Sequence, residues 1–170
     1  MTTQQSIQID IHASPDDAAE AISVMHRAFE EYALKGQESG AMTETSESLR
    51  KEMAGEVELL IARLDGDPVA MCKYRRAEDT IYFSRLAVIP ELRGKGIASE
   101  IVRALRSEAL ARDLQGLSCC VRADEAGNIA LYEQLGMEVV SRQTRGSLTG
   151  ATLNVVNMRD EAVMKDLGQP

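Results

Sequence analysis

The sequence has few of the side chains on which metal and thiol chemistry depend. Its 170 residues include two histidines and three cysteines, which form neither a CxxC nor an HxxxH pair. Because a zinc site needs a cluster of such ligands, we expect no metal centre. A thiol nucleophile needs a base, and neither His12 nor His26 lies near a cysteine in the sequence. We therefore interpret Cys72, Cys119 and Cys120 as buried, reduced thiols of a cytoplasmic protein.

Long apolar runs and positive charge are also scarce. No apolar run approaches the ~20 residues of a membrane-spanning helix, and the opening MTTQQSIQID lacks the basic and apolar regions of a signal peptide. The net charge of −8 differs from that of a nucleic-acid-binding surface, which needs clustered lysine and arginine. We therefore expect neither a membrane nor a nucleic acid as partner. The acidic charge suits a cationic or amine-bearing partner, and solubility alone explains it equally well.

The remaining composition is typical of a globular protein, with 44% hydrophobic and 27% charged residues. A chain of this length can bury a substantial core. It contains no internal repeat, low-complexity tract or linker. We predict a single domain over residues 1–170.

The first half of the chain predicts a strand, two helices and three further strands. The alternation in SIQIDIHA, residues 6–13, is typical of a half-buried strand. The SPDD pattern that follows starts a helix, with Ser14 as N-cap and Asp17 at the capping-box position. A second short helix is predicted from Thr43 or Thr45 to about Ala54. The predicted strands then occupy residues 57–64, 68–76 and 80–88, and Asp65-Gly66 predicts a tight hairpin between the first two.

In the second half, apolar residues at helical spacing predict a helix after residue 96; they are Ile97, Ile101, Val102, Leu105 and Leu110. The next predicted elements are a strand at 116–123, a short helix from about Ala126 that Gly136 caps, and strands at 137–143 and 151–158 paired across RGSLTG. From about Asp160 the chain is expected to fray. The order β-α-α-β-β-β-α-β-α-β-β indicates an α/β (α+β mixed sheet) fold with helices on both faces. Residues 80–121 should form a right-handed parallel crossover.

The most unusual stretch is PELRGKGIASEIV, residues 90–102, between a predicted strand and a predicted helix. The first turn of a helix presents unpaired N–H groups, which together with the helix dipole favour an anion such as phosphate. Gly94 and Gly96 lack a Cβ and let a ligand approach the backbone, and Arg93 and Lys95 add positive charge. The stretch matches neither a Walker A loop nor a dinucleotide GxGxxG motif. It predicts a phosphate cradle, although solvated surface turns share this composition.

Two motifs in this order resemble those of the GCN5-related N-acetyltransferase (GNAT) superfamily. Arg93, Gly96 and Ala98 occupy the defining places of its R/Q-x-x-G-x-G/A motif. NIALYEQLGME resembles a second family feature, with Asn128 and Tyr132 at its characteristic places. The resemblance covers most of the chain and is most specific between the two motifs.

The resemblance implies a GNAT-like acyl-CoA N-acyltransferase fold, with acetyl-CoA as the co-substrate that donates the acetyl group. The pyrophosphate would contact the amides of residues 93–98. The pantetheine arm would pair with the backbone of residues 86–88, in a gap between the fourth and fifth strands. The residues implied to bind acetyl-CoA are Leu86, Ala87, Val88, Arg93, Gly94, Lys95, Gly96, Ile97, Ala98, Ser99 and Asn128.

The implied reaction is direct attack of a neutral primary amine on the thioester. A backbone N–H near residues 86–88 would stabilise the tetrahedral oxyanion. Tyr132 would act as the catalytic acid that protonates the departing thiolate, although considered alone it also fits an ordinary aromatic on the inner face of a helix. Many relatives carry a carboxylate base on the fourth strand, where this chain has Ser84 and Arg85.

The general base and the acceptor therefore stay open at this stage. Candidate bases are Glu30, Glu31 and Glu78, each of which also fits a solvated surface acid. The resemblance implies that residues 29–45 and 145–150 line the acceptor site. The acceptor segment carries four glutamates and one lysine, namely Glu30, Glu31, Glu38, Glu44 and Lys35.

This excess of acids favours a cationic amine on a small molecule or a peptide. Because the strand carboxylate is missing, a non-catalytic acyl-CoA-binding sensor is the alternative function. The acyl chain length and the oligomeric state are open, with a homodimer among the expected assemblies.

Overall fold

The computed structural model describes residues 6–34, 40–146 and 152–160. Its strands are β1 (Ile7–Asp10), β2 (Glu58–Leu64), β3 (Asp67–Ala77), β4 (Thr80–Val88), β5 (Leu117–Arg122), β6 (Met137–Gly146) and β7 (Thr152–Asp160). Its α-helices are α1 (Ala18–Leu34), α2 (Ser46–Met53), α3 (Ile97–Ala111) and α4 (Ala126–Gln134), with short 3-10 helices at Pro15–Asp17, Gly40–Thr43 and Pro90–Leu92. The order of strands and α-helices along the chain is the predicted one.

The strands form a seven-stranded mixed sheet in the order β1-β2-β3-β4-β5-β7-β6. Strands β1 and β2, β2 and β3, β5 and β7, and β6 and β7 pair antiparallel. β4 pairs with β5 in parallel, with Ile81 opposite Leu117 and Tyr82 opposite Ser118. The mixed sheet and the parallel connection from β4 to β5 are thus confirmed.

The chain divides into two compact units, each with buried apolar side chains. The first comprises Met1–Arg75 and Phe83–Ala104, and the second Arg76–Tyr82 and Leu105–Pro170. The largest fully buried side chains of the first unit are Met25, Leu49, Leu59, Leu60, Ile61, Met71, Tyr74, Phe83 and Ile101. Those of the second unit are Ile81, Leu105 and Leu117.

Local sequence signals determine where the first helices begin. The Ser14 hydroxyl accepts a hydrogen bond from the Asp16 N–H, and the Asp17 carboxylate accepts one from the Ser14 N–H. This capping box starts the 3-10 turn that continues into α1. A second box, in which Thr45 and Ser48 exchange side-chain to backbone bonds, starts α2. Both satisfy N–H groups that a helix start leaves without a partner.

The predicted hairpin between β2 and β3 is confirmed. Asp65 and Gly66 have φ values of 51° and 89°. Both lie in the left-handed region that a two-residue type I′ turn requires, which explains the Asp-Gly pair at this place.

Two details of the prediction were wrong. The first strand ends at Asp10 rather than Ala13. Leu110 was assigned to the apolar face of α3 but is 56% exposed, whereas Ala109 and Leu114 are buried. Leu110 follows Leu105 by five residues, which places it about 140° away around the helix, while Ala109 follows by four and stays on the same face. The turn RGSLTG and the chain after Asp160 fall largely or wholly outside the described residues.

None of the helices in the described ranges has the length and apolar content of a membrane span.

Candidate active site

The predicted glycine turn lies in the first unit, between the end of β4 and the start of α3. Gly94 and Gly96 have φ values of 78° and 83°, in the left-handed region that glycine adopts without strain. A Cβ built on either glycine would meet no atom within 4 Å. The two glycines are therefore required by backbone conformation, and the space beside them is open to a ligand.

The amides of this turn form a row of unused donors. From Gly94 to Ser99, no backbone N–H has a hydrogen-bond acceptor within the part of the chain that the structure describes. Helical bonding resumes at Glu100, whose N–H donates to the Gly96 carbonyl at 3.0 Å. The Arg93 N–H already donates to the Pro90 carbonyl. The amides available to an anion thus run from residue 94 to residue 99, one position later than predicted.

The Arg93 side chain extends towards α1. Its Nη2 donates to the Ala28 carbonyl at 2.7 Å, and its Nη1 pairs with the Glu31 carboxylate. Arg27 and Glu91 form a second ion pair between the same two segments, at 2.7 Å. Arg93 therefore fixes the turn against α1, and Glu31 balances its charge. Lys95 is exposed and has no ion pair among residues 6–34, 40–146 and 152–160.

The strand residues predicted to pair with the pantetheine arm directly precede this turn. Leu86 is half-buried, and Ala87 and Val88 are buried. The Ile89 N–H donates to the Val69 carbonyl of β3 at 3.0 Å, which fixes the strand end from which the turn departs. All the predicted acetyl-CoA residues from 86 to 99 thus belong to the first unit.

Asn128 and Tyr132 lie in the second unit, on α4. They are four residues apart, so their side chains leave the helix on the same side. Asn128 is exposed, and the Tyr132 side chain is buried at 7% relative exposure. Gly136 follows the helix with a φ of 97°, as expected of the glycine after a helix C-terminus.

The prediction of buried cysteines is confirmed for two of the three. Cys72 and Cys119 are buried, whereas Cys120 is half-buried, and none of the three forms a disulfide. Burial, followed by the nearby charges of Cys120 and Asp160, raises the pKa of the Cys119 thiol to about 12. Because the thiolate is the nucleophile, Cys119 is inert at neutral pH. Within the described residues, no group of three or more potential metal-ligating side chains is found.

The sequence did not predict a charged cluster in the first unit. The Glu44 carboxylate accepts from Lys73 Nζ at 2.6 Å and from Arg85 Nε at 2.7 Å. Lys73 also donates to both carboxylate oxygens of Glu52, at 2.9 and 3.0 Å. His26 Nε2 donates to the Glu44 carbonyl at 2.9 Å. The sequence signal that could have revealed this cluster is Lys73, because a lysine inside the apolar run VAMCKY needs a partner when buried.

Glu44 is held as an anion by its two neighbours. Burial alone would raise the pKa of the Glu44 carboxyl. The hydrogen bonds and charges of Lys73 and Arg85 outweigh burial, so the pKa lies below its ordinary value of 4.5. A carboxylate stabilised in this way is a weak base, and we do not assign it to proton abstraction.

The acids that were predicted to act as bases, or to give the acceptor segment its negative charge, have different surroundings. Glu31 pairs with Arg93 and Glu44 with two cations. Glu78 is exposed in the turn between β3 and β4. Glu38 and Lys35 lie outside the described residues. Of the four glutamates in the acceptor segment, Glu30 is the one that is described, exposed and without an ion pair in the described ranges, so the case for a cationic acceptor is weakened.

Comparison with known proteins agrees with this geometry. The sequence profile of the Acetyltransferase (GNAT) family matches residues 22–137, which include both motifs. The chain belongs to the GNAT acetyltransferase family.

Individual GNAT relatives are distant in sequence and similar in fold. An acetyltransferase of Pectobacterium atrosepticum is 33% identical over 89 residues, which are 51% of this chain and 62% of the relative. The ribosomal-protein-S18-alanine N-acetyltransferase of Escherichia coli superposes with a TM-score of 0.73 at 19% identity, covering 91% of this chain and 93% of that one. The structure of yncA from Salmonella typhimurium with its cofactor acetyl-CoA has a TM-score of 0.67 at 19% identity, covering 90% and 92%. The family match confirms the predicted superfamily, and the solved structures confirm the predicted fold.

Proposed function

We propose that this GNAT protein is an acetyl-CoA-dependent N-acetyltransferase that acts on a primary amine of a small molecule or a peptide. The observation that carries the proposal is the row of free amides from Gly94 to Ser99, which coincides with the family motif. Six consecutive N–H groups at a helix start, together with the exposed side chain of Lys95, suit the two charges of a pyrophosphate. Family membership and the solved relative with acetyl-CoA support the same donor.

Each proposed residue has one task. The amides of residues 94–99 hold the pyrophosphate, Ser99 adds a hydroxyl, and Arg93 positions the turn through Ala28 and Glu31. A backbone N–H near residues 86–88 binds the carbonyl oxygen as it gains negative charge. Asn128 contacts the pantetheine arm.

Acetyl-CoA, when bound, supplies an activated acetyl carbon to which the amine nitrogen bonds as the carbon–sulfur bond breaks. The Tyr132 hydroxyl gives its proton to the departing sulfur and regains one from solvent. The attacking nitrogen loses its extra proton to water. Among the candidate bases, Glu31 is ion-paired with Arg93, and Glu30 and Glu78 are exposed. Catalysis therefore uses the amine in its neutral form.

The function is tested by incubating the protein with acetyl-CoA and a panel of amines and following free thiol. We expect thiol release that depends on both the protein and at least one amine. An acyl-CoA sensor would bind acetyl-CoA in calorimetry but release no thiol with any amine. A cytoplasmic location, a single domain and a homodimeric assembly stay predictions.

A further inference from the structure

Arg85 has an unusual backbone conformation for a strand residue. Its φ of 53° lies in the left-handed region, inside β4. For a residue other than glycine this conformation costs about 1–2 kcal/mol. Non-glycine residues held in this region are strained, and such residues cluster at active sites and ligand-binding sites. Arg85 directly precedes residues 86–88, where the proposed function places the thioester.

One edge of the Arg85 guanidinium is fixed and the other is open. Nε donates to Glu44 at 2.7 Å. Neither Nη atom has a hydrogen-bond partner in the described ranges. In those ranges, the sole buried side-chain nitrogen or oxygen without a partner is the Nε of Arg159, so both Nη atoms reach solvent. The side chain is 35% exposed. Glu44 therefore orients the guanidinium and leaves its Nη edge free to bind another group.

Of the two cations that pair with Glu44, Arg85 is the one with N–H groups left to bind a ligand. The Lys73 ammonium is 9% exposed, and the Glu44 and Glu52 carboxylates take its hydrogen bonds. Gly40 lies against the guanidinium, because a Cβ built on it would come within 2.8 Å of Arg85 Nη2. A larger residue at position 40 would displace the Arg85 guanidinium.

We propose that Arg85 binds a carboxylate of the acceptor, so that the acceptor is an amine with a carboxylate a few bonds away, such as a free amino acid. A guanidinium held by one edge presents its remaining N–H groups in a planar fork that matches a carboxylate. The strand position then brings the amine of the same molecule towards residues 86–88. This inference rests on the proposed function and specifies its substrate class.

The test uses pairs of amines that differ only in the carboxylate. Each L-amino acid is compared with its amide and with its decarboxylated amine, and dipeptides are included to separate free amino acids from peptides. The readout is free thiol with acetyl-CoA as donor. We expect kcat/KM to be about tenfold or more higher for the amino acid, the factor that a lost charge-assisted hydrogen bond corresponds to.

Three variants assign the preference to Arg85. Arg85→Gln should raise the KM for amino acids about tenfold, leaving the amides and the KM for acetyl-CoA within about threefold. Arg85→Lys keeps the positive charge but lacks the planar guanidinium. Gly40→Ala keeps the guanidinium but displaces it. Both variants should lower the preference for amino acids over their amides. Arg103→Gln, at an exposed residue of α3, is the matched loss of one positive charge and should keep it.

The outcomes separate this inference from the proposed function. Equal thiol release from amines with and without the carboxylate overturns the inference and leaves the proposed function in place. The same conclusion follows if Arg85→Gln raises the KM for acetyl-CoA and not the KM for amino acids. If no amine reacts, calorimetry with coenzyme A and N-acetyl amino acids gives an independent readout. The inference is supported if the parent protein binds N-acetyl amino acids and Arg85→Gln weakens that binding. It is contradicted if the parent protein does not bind them.

Discussion

Glu44 is a single carboxylate on which two cations depend. Its carboxylate pairs with Lys73 at 2.6 Å and with Arg85 at 2.7 Å, and its side chain is 13% exposed. Exposed pairs, such as Arg63 with Glu20, contribute less because water screens them.

Glu44→Gln should therefore destabilise the fold by about 2 kcal/mol at pH 7, the typical contribution of hydrogen bonds to charged groups. The pKa of Glu44 is lower in the folded state than its ordinary value of 4.5, so its stabilisation is complete above pH 4.5. It is lost as the pH falls through the folded pKa. Urea denaturation of parent and variant at several pH values measures the difference, with Glu20→Gln as the control. A gap that stays constant as the pH falls would show that the carboxylate charge is not responsible.

Tyr132→Phe tests the proposed acid. The change keeps the buried ring and removes the hydroxyl, so the free energy of unfolding should change little. Phenols and thiols have reference pKa values of about 10 and about 8.5, so the proton transfer is nearly balanced. General acid catalysis contributes ~10²- to 10⁴-fold. We expect that loss in kcat, with the KM for acetyl-CoA nearly unchanged.

Tyr82→Phe removes a hydroxyl elsewhere in the second unit and serves as the matched control. If Tyr132→Phe turns over within about threefold of the parent, a factor far below that of general acid catalysis, Tyr132 is a packing residue.

At the scale of single residues, the direction of side chains was the property that the sequence predicted least well. The motif suggested that the charge of Arg93 faces the phosphates, whereas its guanidinium contacts α1. Glu44 was grouped with the other acids of the acceptor segment as a source of negative charge. Its partners lie 29 and 41 residues away in the chain, and no local pattern connects them.

At the scale of elements, the turn between β4 and α3 combines two requirements at the same glycines. They must adopt positive φ, and they must leave the amides of residues 94–99 accessible. Gly66, in the hairpin between β2 and β3, meets the first requirement alone, with a φ of 89° and open space around it.

Gly96→Glu should therefore weaken acetyl-CoA binding by at least ~2 kcal/mol, about thirtyfold, because a side chain and a negative charge would occupy the pyrophosphate position. Gly66→Glu imposes the same backbone strain, about 1–2 kcal/mol of stability, and should leave the affinity unchanged. Calorimetry and urea denaturation of both variants separate the two effects. Equal affinities of folded Gly96→Glu and Gly66→Glu for acetyl-CoA would exclude the turn as the site.

Elements were predictable where a local signal determines them. The capping residues at Ser14 and Thr45 and the Asp65-Gly66 turn satisfy backbone requirements that neighbouring residues alone define. Leu110 was misassigned because it was judged by its hydrophobicity rather than by its spacing of five residues from Leu105, which places it about 140° away around the helix. The left-handed conformation of Arg85 inside β4 was also not predicted, since YFSRLAV contains no glycine, asparagine or aspartate that would indicate a positive φ.

At the scale of the whole molecule, the order of elements and the two motifs were sufficient to identify the family, and the fold agrees with both. Fold and family do not by themselves establish a reaction, because one fold can host several functions. The proposed function requires that an acetyl group leaves coenzyme A and becomes attached to an amine nitrogen. A protein that only senses acetyl-CoA would share the sheet, the glycine turn and the binding measurements described above.

The most direct test follows the acetyl group itself. The protein is incubated with acetyl-CoA labelled with ¹³C in the acetyl group and with the amine panel, and the amines are analysed by mass spectrometry. We expect a labelled N-acetyl amine whose formation requires the protein, is lost in Gly96→Glu and persists in Gly66→Glu. Tight binding of acetyl-CoA without a labelled amine from any member of the panel would contradict it.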